Sequence, residues 1–256
     1  MAPVANYEQA RAALSALLRD DCVGRIVLLR GASGFGKTAV LRAFQSGLLA
    51  TSPRIVAASL RSVSHVGEFF SQAHDALGAP SLTNFAARVA ELGSPLKAVV
   101  SRNVLIGWNH QINVIAERNE ERELTALTDA WFADLEALGA CLFIFDDFHM
   151  VRSEVCAWLT GPFLGRVAKR PTMRVVIAGQ TVPDHNNIAW GGACDRVHDL
   201  NGVEVAEHWM YVVRTLGRRI DAPDPHSALV GICKFAKGRP DVIMQFIEGL
   251  PPETSP

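Results

Sequence analysis

Residues 31–38 read Gly31-Ala32-Ser33-Gly34-Phe35-Gly36-Lys37-Thr38, which matches the spacing GxxxxGK[ST] in full. A run of branched apolar residues, Arg25-Ile26-Val27-Leu28-Leu29-Arg30, precedes this segment and is typical of a buried parallel strand. Leu41, Phe44 and Leu48 follow it at helical spacing. A strand, a glycine-rich turn and a helix in this order surround an anion with backbone N–H groups. The sequence therefore predicts a phosphate-binding loop.

Each residue type in the loop has a physical reason to be there. Glycines let the backbone wrap a phosphate without Cβ clashes, Lys37 brings a cation to the β- and γ-phosphates, and Thr38 offers a hydroxyl to Mg²⁺. We predict a catalytic role for Lys37. We predict nucleotide binding by Gly31, Ser33, Gly34, Phe35, Gly36, Lys37, Thr38 and Ala39. The alternative is a glycine turn that binds nothing.

A second apolar run, Cys141-Leu142-Phe143-Ile144-Phe145, ends in Asp146. A phosphate-binding loop is completed by a buried strand whose terminal aspartate holds Mg²⁺, directly or through water. We therefore predict a metal site made by Thr38 and Asp146. The alternative is an aspartate that caps the next turn.

Asp147 is the candidate general base, because it directly follows the predicted magnesium aspartate. In nucleotide-binding domains with an extra strand between the loop and the acidic strand, a carboxylate at this position polarises the attacking water. Residues 54–60 supply that extra strand. Asp is one methylene shorter than Glu, so we expect slow hydrolysis. The alternative is a residue that only orients Asp146.

Two further polar residues follow predicted strands. Gln180 comes after the strand 173–178 and is the candidate sensor of the γ-phosphate, the alternative being an ordinary turn residue. His149 either contacts the γ-phosphate region or, as we favour, bonds to a neighbouring loop.

Buried strands alternate with amphipathic helices along the first 202 residues. The predicted strands cover 25–30, 54–60, 141–145, 173–178 and 196–200, which indicates an α/β fold with a mainly parallel sheet in three αβα layers. Helical patterns alone follow, over 205–216, 227–236 and 240–250. We predict a nucleotide-binding domain over 1–202 with an insertion at about 80–116, a small helical subdomain over 203–250, and a linker-like tail over 251–256.

Composition excludes several classes of protein. Of the 256 residues, 49% are hydrophobic and 20% charged, which excludes a wholly disordered chain. The net charge of −1 disfavours a nucleic-acid partner, although it does not exclude a local basic patch. No apolar run approaches the roughly 18 residues that span a bilayer. The beginning of the chain is not a signal peptide, and five scattered cysteines without a CxxC pair favour the cytoplasm.

These segments together resemble a known family. GASGFGKT, FIFDDFHM and RVVIAGQ are similar to the phosphate loop, acidic strand and sensor strand of STAND ATPases, the AAA+-related signal transduction ATPases with numerous domains. The Asp-Asp-x-His arrangement of residues 146–149 resembles the branch that includes the bacterial maltose-regulon activator. Gly238-Arg239-Pro240 resembles the GxP motif of the class. The resemblance covers most of residues 7–250 and is weakest over 61–140.

The resemblance implies a sheet of order 5-1-4-3-2 closed by a helical bundle, with ATP or ADP and Mg²⁺ bound. It implies that Pro240 lies against the base, that ADP holds a closed monomer, and that ATP permits self-association and signalling to effector or sensor domains, in the same chain or separate. The sequence departs from the class at Gln180, where many members carry arginine.

Other functions stay open at this point. One is an AAA+-like helper that assembles on DNA, for which Arg214, Arg218 and Arg219 form a small basic group. A passive ATP-binding module and, more weakly, a small-molecule kinase are the others. The hairpin-like segment 103–115 offers Asn103, Asn109, Gln111 and Asn113 either to a partner or to solvent, and we favour solvent.

Overall fold

A computed structural model describes residues 7–19, 21–48, 53–78, 82–92 and 121–253. Its centre is a five-stranded sheet of order β2-β3-β4-β1-β5 in which every pairing is parallel. The strands are β1 (Ile26–Arg30), β2 (Arg54–Ser59), β3 (Cys141–Asp146), β4 (Met173–Gly179) and β5 (Cys194–Asp199). Both the α/β class and the order 5-1-4-3-2 are confirmed.

Helices cover both faces of the sheet and continue beyond it. They are α1 (Glu8–Leu17), α2 (Lys37–Ser46), α3 (Val66–Ala76), α4 (Thr83–Leu92), α5 (Glu121–Leu138), α6 (Ser153–Trp158), α7 (Leu164–Val167), α8 (Ala206–Thr215), α9 (Pro225–Phe235) and α10 (Pro240–Glu248). No helix within the described ranges is both long and apolar enough to cross a membrane.

The alternation of side chains along each strand separates two hydrophobic cores. Phe143 and Phe145 point to one face, where they pack with aromatic residues of α3, α5 and the α6–α7 segment. Leu142 and Ile144 point to the other face and pack with α1 and α2. Because both faces of β3 are buried, nearly every residue of the strand is apolar.

The segment between α6 and α7 was not predicted as helix. Leu159–Phe163 is a π-helical stretch that contains Pro162, so the helix passes from α6 to α7 with one widened turn. Proline has no N–H to donate, and the wider turn accommodates the missing hydrogen bond. Phe163 lies at its end and is fully buried in the aromatic core.

Helices α8, α9 and α10 form a third hydrophobic core over residues 203–247. We call this group of helices the lid. The indole N–H of Trp209 donates to the carbonyl of Val203 at 2.7 Å, which joins α8 to the segment after β5. Residues 251–253, the start of the predicted tail, pair with the 217–219 segment: Arg219 N–H donates to Pro251 and Glu253 N–H donates to Gly217.

Part of the predicted insertion at about 80–116 is described. Residues 82–92 contain α4, which packs on α5 through buried Phe85 and Val89. The carboxylate of Asp134, itself buried, accepts hydrogen bonds from the backbone N–H groups of Asn84 and Phe85 at the start of α4. The hairpin-like segment 103–115, with its asparagines and Gln111, lies outside the described residues.

Candidate functional site

The loop between β1 and α2 has the backbone that its glycines permit. Gly34 and Gly36 have φ of 83° and 78°, the left-handed region that side chains disfavour. Gly36 is the N-terminal flanking residue of α2, so the loop ends where the free N–H groups of that helix begin. The local sequence thus produces the glycine turn and the helix start that the motif predicts.

Lys37 is the buried cation of the cradle. Only 8% of its surface is exposed, and its ammonium donates to the carbonyls of Gly31 at 2.7 Å and Ala32 at 2.8 Å. Burial lowers the pKa of Lys37, while the charges of Asp146 and Asp147 oppose that shift. An ammonium has three protons, so one remains for an anion in the loop.

Thr38 and Asp146 meet as the magnesium prediction requires. The Thr38 hydroxyl donates to Oδ2 of Asp146 at 2.5 Å, and Oδ1 of Asp146 accepts the backbone N–H of Asp147 at 2.8 Å. Hydroxyl and carboxylate oxygens are the hard ligands that Mg²⁺ prefers, so Thr38 and Asp146 would be the residues that hold the ion. The described ranges contain no group of three or more His, Cys, Asp or Glu side chains that could hold a metal by themselves.

Asp147 is held in an unusual backbone conformation at the end of β3. Its φ and ψ are 59° and 35°, in the left-handed region that aspartate tolerates better than most residues. The hydroxyl of Ser59, at the end of the neighbouring β2, donates to Oδ2 of Asp147 at 3.0 Å. The carboxylate is therefore oriented by both strands.

His149 and Gln180 form a pair. Their Nε2 atoms lie 3.0 Å apart, and the backbone N–H of Gln180 lies 3.4 Å from Nδ1 of His149. When Nδ1 accepts that N–H, the neutral imidazole keeps its proton on Nε2, and the Gln180 amide must present its oxygen. His149 thus bonds to the loop after β4, and it also lines the cavity that the phosphate-binding loop borders, so its position agrees with both interpretations made from the sequence.

These residues surround one cavity of about 370 Å³. That volume lies within the range of ligand pockets, roughly 300–1,000 Å³. The cavity brings together the predicted residues Ser33, Gly34, Gly36, Lys37, Thr38, Ala39, Asp147, His149, Gln180 and Pro240. It does not include Gly31, Phe35 or Asp146 in its lining: Gly31 and Asp146 lie behind it as partners of Lys37 and Thr38.

Sequence reasoning missed three residues of the cavity, Arg61, Asp241 and Met244. Asp241 and Met244 follow Pro240 on α10, one and four residues later in the sequence. Arg61 follows β2 and belongs to no motif.

The lid touches the phosphate loop at Gly34. The backbone N–H of Asp241 donates to the Gly34 carbonyl at 3.2 Å. A Cβ atom placed on Gly34 would lie 2.3 Å from Oδ2 of Asp241, so the carboxylate rests directly on the glycine. Arg239 pairs with this carboxylate at 2.6 Å, and its hydrogen bond lowers the pKa of Asp241.

Tyr7 joins the phosphate loop to the entrance of the lid. Its hydroxyl lies 2.8 Å from the Phe35 carbonyl and 3.0 Å from the Asn201 carbonyl, and burial raises its pKa to about 12. A larger cavity of about 530 Å³ lies beside Tyr7, lined by residues 7–10 and 196–203. We place the functional site in the smaller cavity, because the larger one is not lined by the phosphate loop.

Solved structures resemble this chain in fold. Cdc6p from Pyrobaculum aerophilum is 14% identical with a TM-score of 0.55, over 95% of this chain and 60% of that one. C. elegans PCH-2 is 16% identical with a TM-score of 0.44, over 96% and 63%. A chain of the E. coli MS115-1 HORMA:CdnC:Trip13 complex is 13% identical with a TM-score of 0.39, over 96% and 80%.

The similarity to Cdc6p concerns the fold alone, a parallel sheet of order β2-β3-β4-β1-β5 flanked by helices. No protein-family profile matches the chain, and no curated protein does. This chain spans about three-fifths of the length of that Cdc6p.

Proposed function

We propose that this chain is an ATP- and ADP-binding regulatory switch of the STAND type that hydrolyses ATP slowly with Mg²⁺ and controls self-association or partner signalling. The observation that carries the proposal is the contact of Asp241 with Gly34, because it makes the lid part of the phosphate site. A ligand in the loop and the position of the lid are then coupled through one shared cavity.

Nucleotide binding is supported by the cradle and its cation. Gly34 and Gly36 open the loop, Lys37 keeps one proton for an anion, and Thr38 with Asp146 offers two oxygens to Mg²⁺. Pro240 is buried and lines the same cavity at the lid, where the ring of the base would pack against it. When bound, Mg²⁺ neutralises charge on the phosphates during transfer to water.

Hydrolysis is supported by the placement of Asp147. Its carboxylate lines the cavity and is oriented by Ser59, as a group that accepts a proton from water must be. We propose it as the general base, and we propose Gln180 as a polar contact near the γ-phosphate.

A switch needs two states of the lid that nucleotide biases differently. The lid has its own hydrophobic core and meets the loop through Pro240 and Asp241. We propose that exchange of ADP for ATP moves this contact and frees a surface for self-association. The GxP-like motif supports the proposed STAND class, and the Asp-Asp-x-His arrangement supports the branch that includes the maltose-regulon activator. The five free thiols support a cytoplasmic location.

The test is to identify the nucleotide on the purified protein and to measure its mass in solution after exchange into ADP or ATP with Mg²⁺. Co-purified ADP on a monomer that assembles only in ATP would support the switch. ATP binding without any change in mass would contradict the proposed switch and would indicate a passive nucleotide-binding module. Steeply salt-dependent binding to DNA would favour an assembly helper.

A further inference from the structure

Arg61 lies on a fixed turn at the end of β2. Leu60 N–H donates to the carbonyl of Asp146 at 2.9 Å, and Ser62 N–H donates to the carbonyl of Ser59 at 3.0 Å. Leu60 and Val63, on either side of the turn, are each 1% exposed. The backbone of Arg61 is therefore held between two buried side chains, while its own side chain is exposed.

The turn places Arg61 at the acidic end of the cavity. Ser59 of β2 pairs with Asp146 of β3, the proposed magnesium ligand. Arg61 comes two residues after Ser59 and therefore lies close to that end of β3. Its side chain lines the same cavity as Lys37, Asp147 and Gln180. Thr38 and Asp146 would hold Mg²⁺ at this end of the cavity, where the ion would neutralise phosphate charge, so we expect the γ-phosphate to lie here.

Lys37, Gln180 and His149 already use much of their hydrogen-bonding capacity within the protein. Lys37 gives two protons to loop carbonyls, and Gln180 is uncharged and paired with His149. Arg61 makes no hydrogen bond or ion pair with the residues that the structure describes. Its guanidinium is a permanent cation whose planar donors match a phosphate oxygen pair.

We propose that Arg61 binds the γ-phosphate from within the same chain and is the residue by which the site distinguishes ATP from ADP. This rests on the proposed function, because it requires a nucleotide in the loop. Arg61 then supplies a positive charge that the neutral Gln180 cannot supply. ADP has no third phosphate, so the contact would be made only with the triphosphate.

The test compares ADP with the β,γ-imido analogue of ATP, both with Mg²⁺, by calorimetric titration of the full chain. Arg61→Ala is expected to lower affinity for the triphosphate analogue by about 10- to 100-fold and to leave ADP affinity within about twofold. Arg61→Lys should recover part of the loss, because it keeps the charge without the planar fork. Turnover of saturating ATP by Arg61→Ala should fall by about 10²-fold or more.

Arg11→Ala is the matched control, since Arg11 is an exposed arginine on α1 that does not line the cavity. It should change neither affinity. Thermal unfolding without nucleotide should be the same for both alanine variants, which would show that Arg61→Ala folds.

Equal loss of both nucleotides in Arg61→Ala, or no loss of either, would overturn the assignment while leaving the proposed nucleotide site intact. If the unsubstituted protein bound neither nucleotide, the proposed function itself would fail and this inference with it.

Discussion

The hydroxyl of Thr38 lies 2.5 Å from Oδ2 of Asp146, although 108 residues separate the two in sequence. The contact exists because α2 begins directly after the loop that follows β1, while Asp146 ends β3 two strands away in the same parallel sheet. Parallel strands present their carboxyl ends at one edge, and this edge is where α/β proteins bind ligands. This proximity brings the two oxygen ligands of the proposed magnesium site together.

Thr38→Val should abolish the increase in ATP affinity that Mg²⁺ gives. Valine keeps the shape of threonine but has no oxygen, so we expect ATP affinity in Mg²⁺ to fall about 10-fold or more, towards the value without the metal. Titrations with and without Mg²⁺ measure this, and Thr38→Ser, which retains the hydroxyl, is the control. A full magnesium dependence in Thr38→Val would remove Thr38 from the metal site.

Asp147→Asn should leave ATP bound and slow its hydrolysis by roughly 10²–10⁴-fold, because the amide cannot accept the proton of water. The change is well matched. Asparagine also tolerates the left-handed backbone found here, and its oxygen can still accept the Ser59 hydroxyl. Single-turnover kinetics with ATP provide the measurement. An unchanged rate would reduce Asp147 to a residue that only orients Asp146.

Gly34→Ala should weaken both the fold of the loop and its contact with the lid. Gly34 has a φ of 83°, and the new methyl group would force Asp241 away from its ion pair with Arg239. We expect a loss of about 1–3 kcal/mol in the free energy of unfolding, together with weaker nucleotide binding. Gly165→Ala in α7 is the control, since its new methyl group would meet no atom within 4 Å apart from its chain neighbours and the backbone of its own helix. Wild-type stability and binding in Gly34→Ala would show that the loop does not need this geometry.

The ion pair of Asp241 with Arg239 should give the lid a pH-dependent stability. The arginine lowers the pKa of the Asp241 carboxyl, so the folded protein favours its charged form. Such a contribution is present above the unfolded-state pKa, about 3.9, and is lost as the pH falls through the lower folded-state value.

The melting temperature of the wild type should therefore exceed that of Asp241→Asn by a small amount at pH 6, with the difference closing below about pH 4. It should be small because both side chains are about half exposed and water screens them. A difference that is constant from pH 6 to pH 3 would show that the charge of Asp241 plays no part.

Much of the fold follows from the sequence because the strands are buried on both faces. Long apolar runs such as 141–145 have few alternatives to a central parallel strand, and the motif at 31–38 fixes the connection of β1 to α2. The α6–α7 segment escaped prediction because Gly161, Pro162 and Gly165 disfavour a helix locally. Burial of Trp158 and Phe163 in the aromatic core overrides that preference.

Motifs in the sequence predict some of the residues that line the cavity, whereas residues that reach it only through tertiary contacts have no such signal. Lys37, Asp147 and Gln180 each occupy a recognisable position after a strand or in a loop. Arg61 and Asp241 reach the cavity only because of how β2 and α10 are placed, and a single arginine or aspartate carries no pattern in the sequence. The contact of Tyr7 with the Phe35 carbonyl is hidden for the same reason.

The most direct test of the account is equilibrium binding of ADP and ATP with Mg²⁺ to the unsubstituted protein and to Lys37→Ala. Lys37 supplies the buried charge of the phosphate loop, so the account predicts binding of both nucleotides by the former and no measurable binding by the variant, which should still unfold cooperatively. Nucleotide binding that survives Lys37→Ala would contradict the assignment of residues 31–38 as the phosphate site.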